Sequence, residues 1–100
     1  MVKIVKTSNF FNKKISKLEK KNIYSFEVFE KDLRDFFKDE KNKKFRKHKI
    51  ERWKDVIFSI SLWSDLRTLY FFEKKKDEWV VEYWFFDIWN HNEVYWKNKS

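Results

Sequence analysis

The fold is decided by the stretch Ser64-Asp65-Leu66-Arg67-Thr68-Leu69-Tyr70-Phe71-Phe72, which lies in the middle of three aromatic and β-branched runs. These runs extend over residues 56–63, 66–72 and 79–89. In the first run every second position is apolar, and the positions between them hold both apolar and polar residues. This alternation has the period of a strand that has one face better buried than the other. The connections at 64–65 and 73–78 are shorter than the dozen or more residues that a parallel crossover needs. The sequence therefore predicts an antiparallel three-stranded meander.

The residues before the meander predict a strand and two helices. Residues 2–5 are apolar enough for a first strand, and Thr7 or Ser8 can cap the helix that follows. Ser25 can cap a second helix, and both helices have an apolar stripe that needs a partner surface. The stripes consist of Phe11, Ile15 and Leu18, and of Phe26, Phe29, Leu33, Phe36 and Phe37. We therefore expect a single α+β domain over residues 1–100, with an N-terminal strand and a helical hairpin packed on an antiparallel sheet of about four strands.

The composition excludes several classes of site. There is no cysteine and only two histidines, so neither a thiolate site nor a histidine-rich metal site is expected. The absence of glycine bars the glycine-built phosphate loops of nucleotide-binding proteins. We expect no metal and no cofactor. The longest uncharged run covers only residues 56–64, and the N-terminus has no apolar signal region, so we expect a cytoplasmic protein without a membrane span.

The positive charge is concentrated in the first half of the chain. Residues 1–54 hold 18 basic and 8 acidic side chains (+10), and residues 55–100 hold 6 and 8 (−2), which gives the net charge of +8. Such asymmetry suggests a polyanionic partner, with nucleic acid the first candidate and an acidic protein the second. The segment 41–54 has eight basic side chains and one acid. We interpret it as a phosphate-binding segment, and the alternative is a solvated loop. The predicted RNA-binding residues are Lys43, Lys44, Arg46, Lys47, Lys49, Arg52, Lys54 and the aromatic Trp96.

Two polar residues stand out in the aromatic half of the chain. Arg67 lies inside the second predicted strand, where its guanidinium must reach solvent, an acid or an anionic ligand. The alternative to a ligand is a structural ion pair with Asp65, Asp87 or Glu82. His91 follows the third run. It is either a functional residue or a histidine at the end of a strand that is hydrogen-bonded to the backbone.

The order of elements and two motifs resemble the RelE/ParE superfamily of toxins from type II toxin-antitoxin pairs. The motifs are Asp65-Leu66-Arg67-Thr68-Leu69-Tyr70 and Asn90-His91-Asn92-Glu93-Val94-Tyr95, and the second is similar to the close of the RelE and YafQ branch. The resemblance implies a compact α+β ribonuclease that cuts mRNA on the ribosome and is silenced by an acidic antitoxin. It implies catalytic positions at Arg67, His91, Tyr95, His48 and Asp65. Two positions depart from the pattern: Trp89 replaces a glycine, and Ser61 replaces a histidine of the YafQ branch.

The chemistry that the resemblance implies is metal-independent cleavage of RNA. A base must take the proton of the 2′-hydroxyl, an acid must protonate the leaving 5′-oxygen, and a cation must stabilise the charge that develops on the phosphate. Either histidine or a lysine could act as base and acid, and Arg67 is the cation. Two alternatives stay open: a ParE-like toxin that binds a topoisomerase, and a binding module for nucleic acid or protein without enzymatic activity.

Overall fold

The computed structural model describes residues 2–52, 55–75 and 79–90. Within them the chain forms five strands, two α-helices and two short 3₁₀ turns. The strands are β1 (Val2–Thr7), β2 (His48–Arg52), β3 (Asp55–Ser61), β4 (Leu66–Lys75) and β5 (Val80–Asn90). The helices are α1 (Asn9–Lys20) and α2 (Phe26–Lys38), and the 3₁₀ turns cover Lys43–Phe45 and Trp63–Asp65.

The strands form one sheet in the order β1-β5-β4-β3-β2. β3, β4 and β5 pair antiparallel, which confirms the predicted meander, and β1 lies parallel to β5 at one edge. A register shift between Leu69 and Tyr70 marks a bulge, where Leu69 pairs with Asp87 and Tyr70 with Phe85. The α+β class is confirmed, with two helices on a mostly antiparallel sheet.

The sheet has a fifth strand at its other edge, which the sequence did not predict. His48–Arg52 pairs antiparallel with β3, although no strand was predicted within the segment 41–54. Three of its five residues are charged and only Ile50 is apolar, so no apolar periodicity marked it as a strand. Charged side chains are common on edge strands because they discourage pairing with other chains. The basic segment is therefore partly built into the sheet.

Both helices are capped by the predicted serines. The Ser8 Oγ accepts a hydrogen bond from the Phe11 N–H at 3.1 Å, and the Ser25 Oγ accepts one from the Val28 N–H at 3.2 Å. Each contact satisfies one of the backbone donors that a helix leaves free at its N-terminus.

The helices cover one face of the sheet, called here the inner face, with aromatic rings. Phe29 of α2 lies 4.9 Å from Phe11 of α1 and 5.2 Å from Phe85 of β5, measured between ring centroids. Tyr70 of β4 is buried beside Phe85, at 5.1 Å. Trp79 is 76% exposed because it lies in the turn before β5, outside the area that the helices cover. The opposite, outer face of the sheet carries Arg67.

Candidate anion-binding site around Arg67

The Arg67 guanidinium is held by hydroxyl and carbonyl oxygens. Its Nε and Nη2 donate to the Ser59 Oγ at 3.0 and 2.6 Å, and its Nη1 donates to the Ser61 Oγ at 2.6 Å. Its Nη2 also donates to the backbone carbonyl of Arg46 at 3.2 Å. Because opposite residues of antiparallel strands point to one face, the pairing of Ser61 with Arg67 puts both side chains on the outer face. All of these acceptors are uncharged, so they orient the guanidinium without neutralising it.

The three acids considered as ion-pair partners are not paired with Arg67. Asp87 binds the Lys14 Nζ at 2.6 Å, and Glu82 lies between Lys6 at 3.4 Å and Lys75 at 3.5 Å. Asp65 is exposed and forms no ion pair in the described part of the chain. The ion pairs among residues 2–52, 55–75 and 79–90 do not include Arg67, so the structural ion-pair interpretation of this residue is wrong for that part of the chain.

The electrostatic surroundings of Arg67 disfavour its charge. Burial lowers the pKa of the Arg67 guanidinium, and the nearby charge of Arg46 lowers it further. An arginine stays protonated despite such a shift. An anion beside the guanidinium would act on the pKa in the opposite direction, because an opposite charge favours the protonated form.

A cavity of about 210 Å³, called here the Arg67 cavity, opens beside the guanidinium. Its polar lining includes the cations Lys44, Arg46 and Arg67, the hydroxyl of Ser61 and the carboxylate of Asp65. Arg46 and Asp65 have left-handed backbones, with φ of 43° and 57°. This conformation costs roughly 1–2 kcal/mol for most residues other than glycine, but aspartate adopts it more readily, so the strain lies mainly at Arg46. The cavity therefore combines three positive charges, one negative charge and two left-handed corners.

The other predicted residues of the basic segment divide between the two faces of the sheet. His48 pairs with Ser59, which places it on the outer face, one strand away from the guanidinium. The Lys47 Nζ lies away from the guanidinium's cavity lining, 5.0 Å from the centre of the Phe58 ring and 3.8 Å from a Glu40 carboxylate oxygen. Lys49 pairs with Phe58 of the inner face and contacts Glu51 at 3.2 Å.

The remaining predicted residues have no assigned place in the cavity. Lys43 is exposed in the 3₁₀ turn beside Lys44, and Arg52 is the last residue of β2. The predictions for Lys54, His91, Tyr95 and Trp96 lie outside the described residues. No group of three or more histidine and acidic side chains in the described ranges is arranged to hold a metal. No helix within these ranges is both long and apolar enough to cross a membrane.

The sequence did not predict that Ser59 and Ser61 would hold Arg67. Ser59 is only 4% exposed although it lies on the outer face, because the guanidinium covers it. The signal for this role was the presence of two hydroxyls, two residues apart, on the mixed face of a strand that precedes the arginine strand. Trp89 lies opposite Arg67 on β5, and its buried Nε1 has no hydrogen-bond partner among the described residues.

A second, larger cavity adjoins the Arg67 cavity. It measures about 630 Å³ and lies between α2, the Lys43–Phe45 turn and the end of β3, and we call it the α2 groove. It shares Lys44, Ser61 and Leu62 with the Arg67 cavity. Asp32 fixes one wall of this groove, because its Oδ2 accepts hydrogen bonds from the Tyr24 hydroxyl at 2.5 Å and from the Trp63 N–H at 3.2 Å.

Comparisons with known proteins identify a structure of the same fold. No protein-family model and no curated protein matches the chain. The solution structure of the conserved hypothetical protein HP0892 from Helicobacter pylori is similar, with a TM-score of 0.64 at 21% sequence identity. The match covers 94% of this chain and 99% of that chain. This similarity shows a shared fold over nearly the whole length of both proteins, and it assigns no activity to either.

Proposed function

We propose that the protein is a RelE-like endoribonuclease toxin that cleaves mRNA on the ribosome and is neutralised by an acidic antitoxin. The observation that carries the proposal is the state of Arg67, a partly buried guanidinium held by two serines without a carboxylate partner among the described residues. It opens on a cavity that contains two further cations. We identify the anion as RNA because residues 65–70 and 90–95 resemble motifs of the RelE/ParE superfamily.

The site has the parts that stabilise charge on a phosphate. In the proposed reaction the 2′-oxygen forms a bond to phosphorus and the bond to the 5′-oxygen breaks, which leaves a 2′,3′-cyclic phosphate. Arg67, Lys44 and Arg46 supply positive charge where the phosphoryl oxygens gain negative charge. Ser61 accepts a hydrogen bond from Arg67, so its own hydroxyl proton is available to the phosphate.

The proton transfers need a base and an acid near the same phosphate. Asp65 lines the Arg67 cavity, and His48 lies on the outer face opposite Ser59. These two side chains are candidates within the described residues, a lysine is the alternative, and His91 is a candidate outside them. A base takes the proton of the 2′-hydroxyl, and the conjugate acid of another group protonates the 5′-oxygen.

The proposed antitoxin is an acidic protein that covers the Arg67 cavity. Its carboxylates would offset the charge of +10 in residues 1–54 and pair with the guanidinium, which has no carboxylate partner among residues 2–52, 55–75 and 79–90.

The test is an mRNA cleavage assay with the purified protein, with and without ribosomes. The wild type is expected to cleave mRNA on the ribosome, and Arg67→Ala is expected to lose this activity while its circular dichroism and unfolding transition still show a folded protein. Arg34→Ala is the matched control, because Arg34 is an exposed arginine of α2 that lines neither cavity. Full cleavage by Arg67→Ala would remove this residue from the mechanism.

Binding to nucleic acid without cleavage is the second candidate function. Four of the five N–H donors of Arg67 bind oxygens of described residues, and one N–H of Nη1 has no acceptor among those residues and is left for a ligand. Salt-sensitive RNA binding with intact RNA would favour this second candidate. Intact mRNA together with DNA damage signalling in expressing cells would favour the ParE-like topoisomerase-binding toxin instead.

A further inference from the structure

We propose that the α2 groove binds a guanine base of the RNA next to the phosphate in the Arg67 cavity, with Trp63 stacking on the base and Asp35 reading its Watson–Crick edge. This inference rests on the proposed function, since it takes RNA to be the substrate, and it adds a base-specific subsite to it.

The first argument is the position and size of the groove. The two cavities share Lys44, Ser61 and Leu62, so a ligand in one lies directly beside a ligand in the other. A nucleotide has this arrangement, with a phosphate on one side of the ribose and a base on the other. The groove volume of about 630 Å³ falls within the roughly 300–1,000 Å³ of cavities that bind small molecules.

The second argument is an exposed tryptophan in the wall of the groove. The Trp63 side chain is 71% exposed and makes no ring contact with other described residues, yet its backbone N–H is bonded to Asp32. The start of the turn is thus fixed while the indole stays available. Exposed aromatic rings beside a cationic site are the usual stacking surfaces for the bases of single-stranded RNA. Val28, Phe45 and Leu62 supply further apolar surface in the groove.

The third argument is a carboxylate without a partner in a strongly basic protein. Asp35 lines the groove, is exposed, and makes no hydrogen bond or ion pair with another described residue. Asp32 also lines the groove, but it binds Tyr24 and the Trp63 backbone and therefore has a structural role. The spacing of Val28, Asp32 and Asp35 at i, i+4 and i+7 places them on one face of α2.

The chemistry of the carboxylate selects among the four bases. A carboxylate only accepts hydrogen bonds, so it needs adjacent donors on the base. Guanine presents N1–H and the N2 amino group side by side, and these two donors match the two carboxylate oxygens. Adenine and cytosine present an amino group next to a ring-nitrogen acceptor, and uracil presents one N–H between two carbonyls. Lys31, on the same wall, can donate to the guanine O6. Guanine is therefore the base that fits this wall.

The experiment measures the affinity of the full chain for the four 3′-mononucleotides and for inorganic phosphate by isothermal titration calorimetry. The wild type is expected to bind 3′-GMP about tenfold or more tightly than 3′-UMP, and Asp35→Asn is expected to remove this preference. Trp63→Ala is expected to weaken all four nucleotides while the affinity for phosphate stays unchanged. Glu30→Gln is the matched control, since it also removes one negative charge from an exposed position of α2 but lines neither cavity.

The outcomes separate this inference from the proposed function. Equal affinities for the four nucleotides, together with phosphate binding that depends on Arg67, would overturn the guanine subsite and leave the nuclease proposal intact. A guanine preference that persists in Asp35→Asn would also overturn it. If phosphate does not bind and Arg67→Ala still cleaves mRNA, the proposed role of the Arg67 cavity fails instead.

Discussion

The contact between Arg67 and Ser59 predicts a strong energetic coupling between these two residues. Ser59 is 4% exposed, and its hydroxyl accepts two hydrogen bonds from the guanidinium. Removing one partner of a buried hydrogen bond leaves the other without a partner, whereas removing both leaves no such group. The two single variants should therefore destabilise the fold more, taken together, than the double variant does.

The magnitudes follow from the hydrogen bonds that each change removes. Ser59→Ala leaves the Nε–H and one Nη2–H of Arg67 without an acceptor, which costs about 2–3 kcal/mol of unfolding free energy. Arg67→Met leaves the Ser59 hydroxyl buried without a donor, which costs about 1–3 kcal/mol. The double variant has neither of these two groups. The Ser61 hydroxyl and the Arg46 carbonyl lose the same donors in both Arg67 variants, so their cost cancels from the cycle. The expected coupling energy is therefore about 2 kcal/mol or more.

The measurement is a double-mutant cycle by urea unfolding, followed by tryptophan fluorescence. The matched control cycle pairs Arg67→Met with Ser16→Ala, because Ser16 is an exposed serine of α1 without a contact to Arg67. That control should be additive within about 0.5 kcal/mol. If the cycle with Ser59 is equally additive, the two hydroxyl contacts do not hold the guanidinium and the description of the site is wrong.

Three further predictions concern pH, salt and capping. Burial raises the pKa of Tyr24, Tyr70 and Tyr83 above the ordinary value of 10, so the folded protein holds protons that the unfolded chain releases. The unfolding free energy should fall above pH 10, by up to about 1.4 kcal/mol per pH unit for each tyrosine. Denaturant titrations at several pH values measure this dependence, and an unfolding free energy that stays constant above pH 10 would contradict the prediction. In a plot of log affinity against log salt for single-stranded RNA, Arg67→Met should make the slope less negative by about 0.7, and an unchanged slope would exclude a phosphate contact. Ser25→Ala should lower the unfolding free energy by about 1 kcal/mol through loss of the α2 cap. An unchanged unfolding free energy measured by calorimetry would contradict this prediction.

The elements with a clear local signal could be predicted from the sequence. Ser8 and Ser25 each precede an apolar helical stripe, and both act as helix caps in the structure. The alternation in β3 separates a face with Ile60 from a face with Ser59, and the helices cover the Ile60 side. These features depend on side chains a few residues apart, which is the range over which a sequence pattern is informative.

The features that depend on register could not be predicted in the same way. A two-residue turn at Ser64-Asp65 would pair Leu62 with Arg67 and send the guanidinium to the inner face. The 3₁₀ turn Trp63–Asp65 changes the register so that Ser61 pairs with Arg67, and a shift of one residue exchanges the faces of a strand. The hydrogen-bond partners of Arg67 therefore depend on the geometry of this turn, which the sequence pattern did not predict. The strand β2 was missed because its charged residues carry no apolar period.

The most direct test of the central claim is an NMR measurement of the Arg67 guanidinium during titration with a short RNA. The RNA carries a 2′-deoxy residue at the cleavage position, so that it binds without reacting. The Nε–H signal of Arg67 is expected to shift and saturate at one RNA per protein, while the signal of the exposed Arg34 stays in place. An RNA complex that forms with the Arg67 signal unmoved would contradict the claim that the Arg67 guanidinium receives the phosphate.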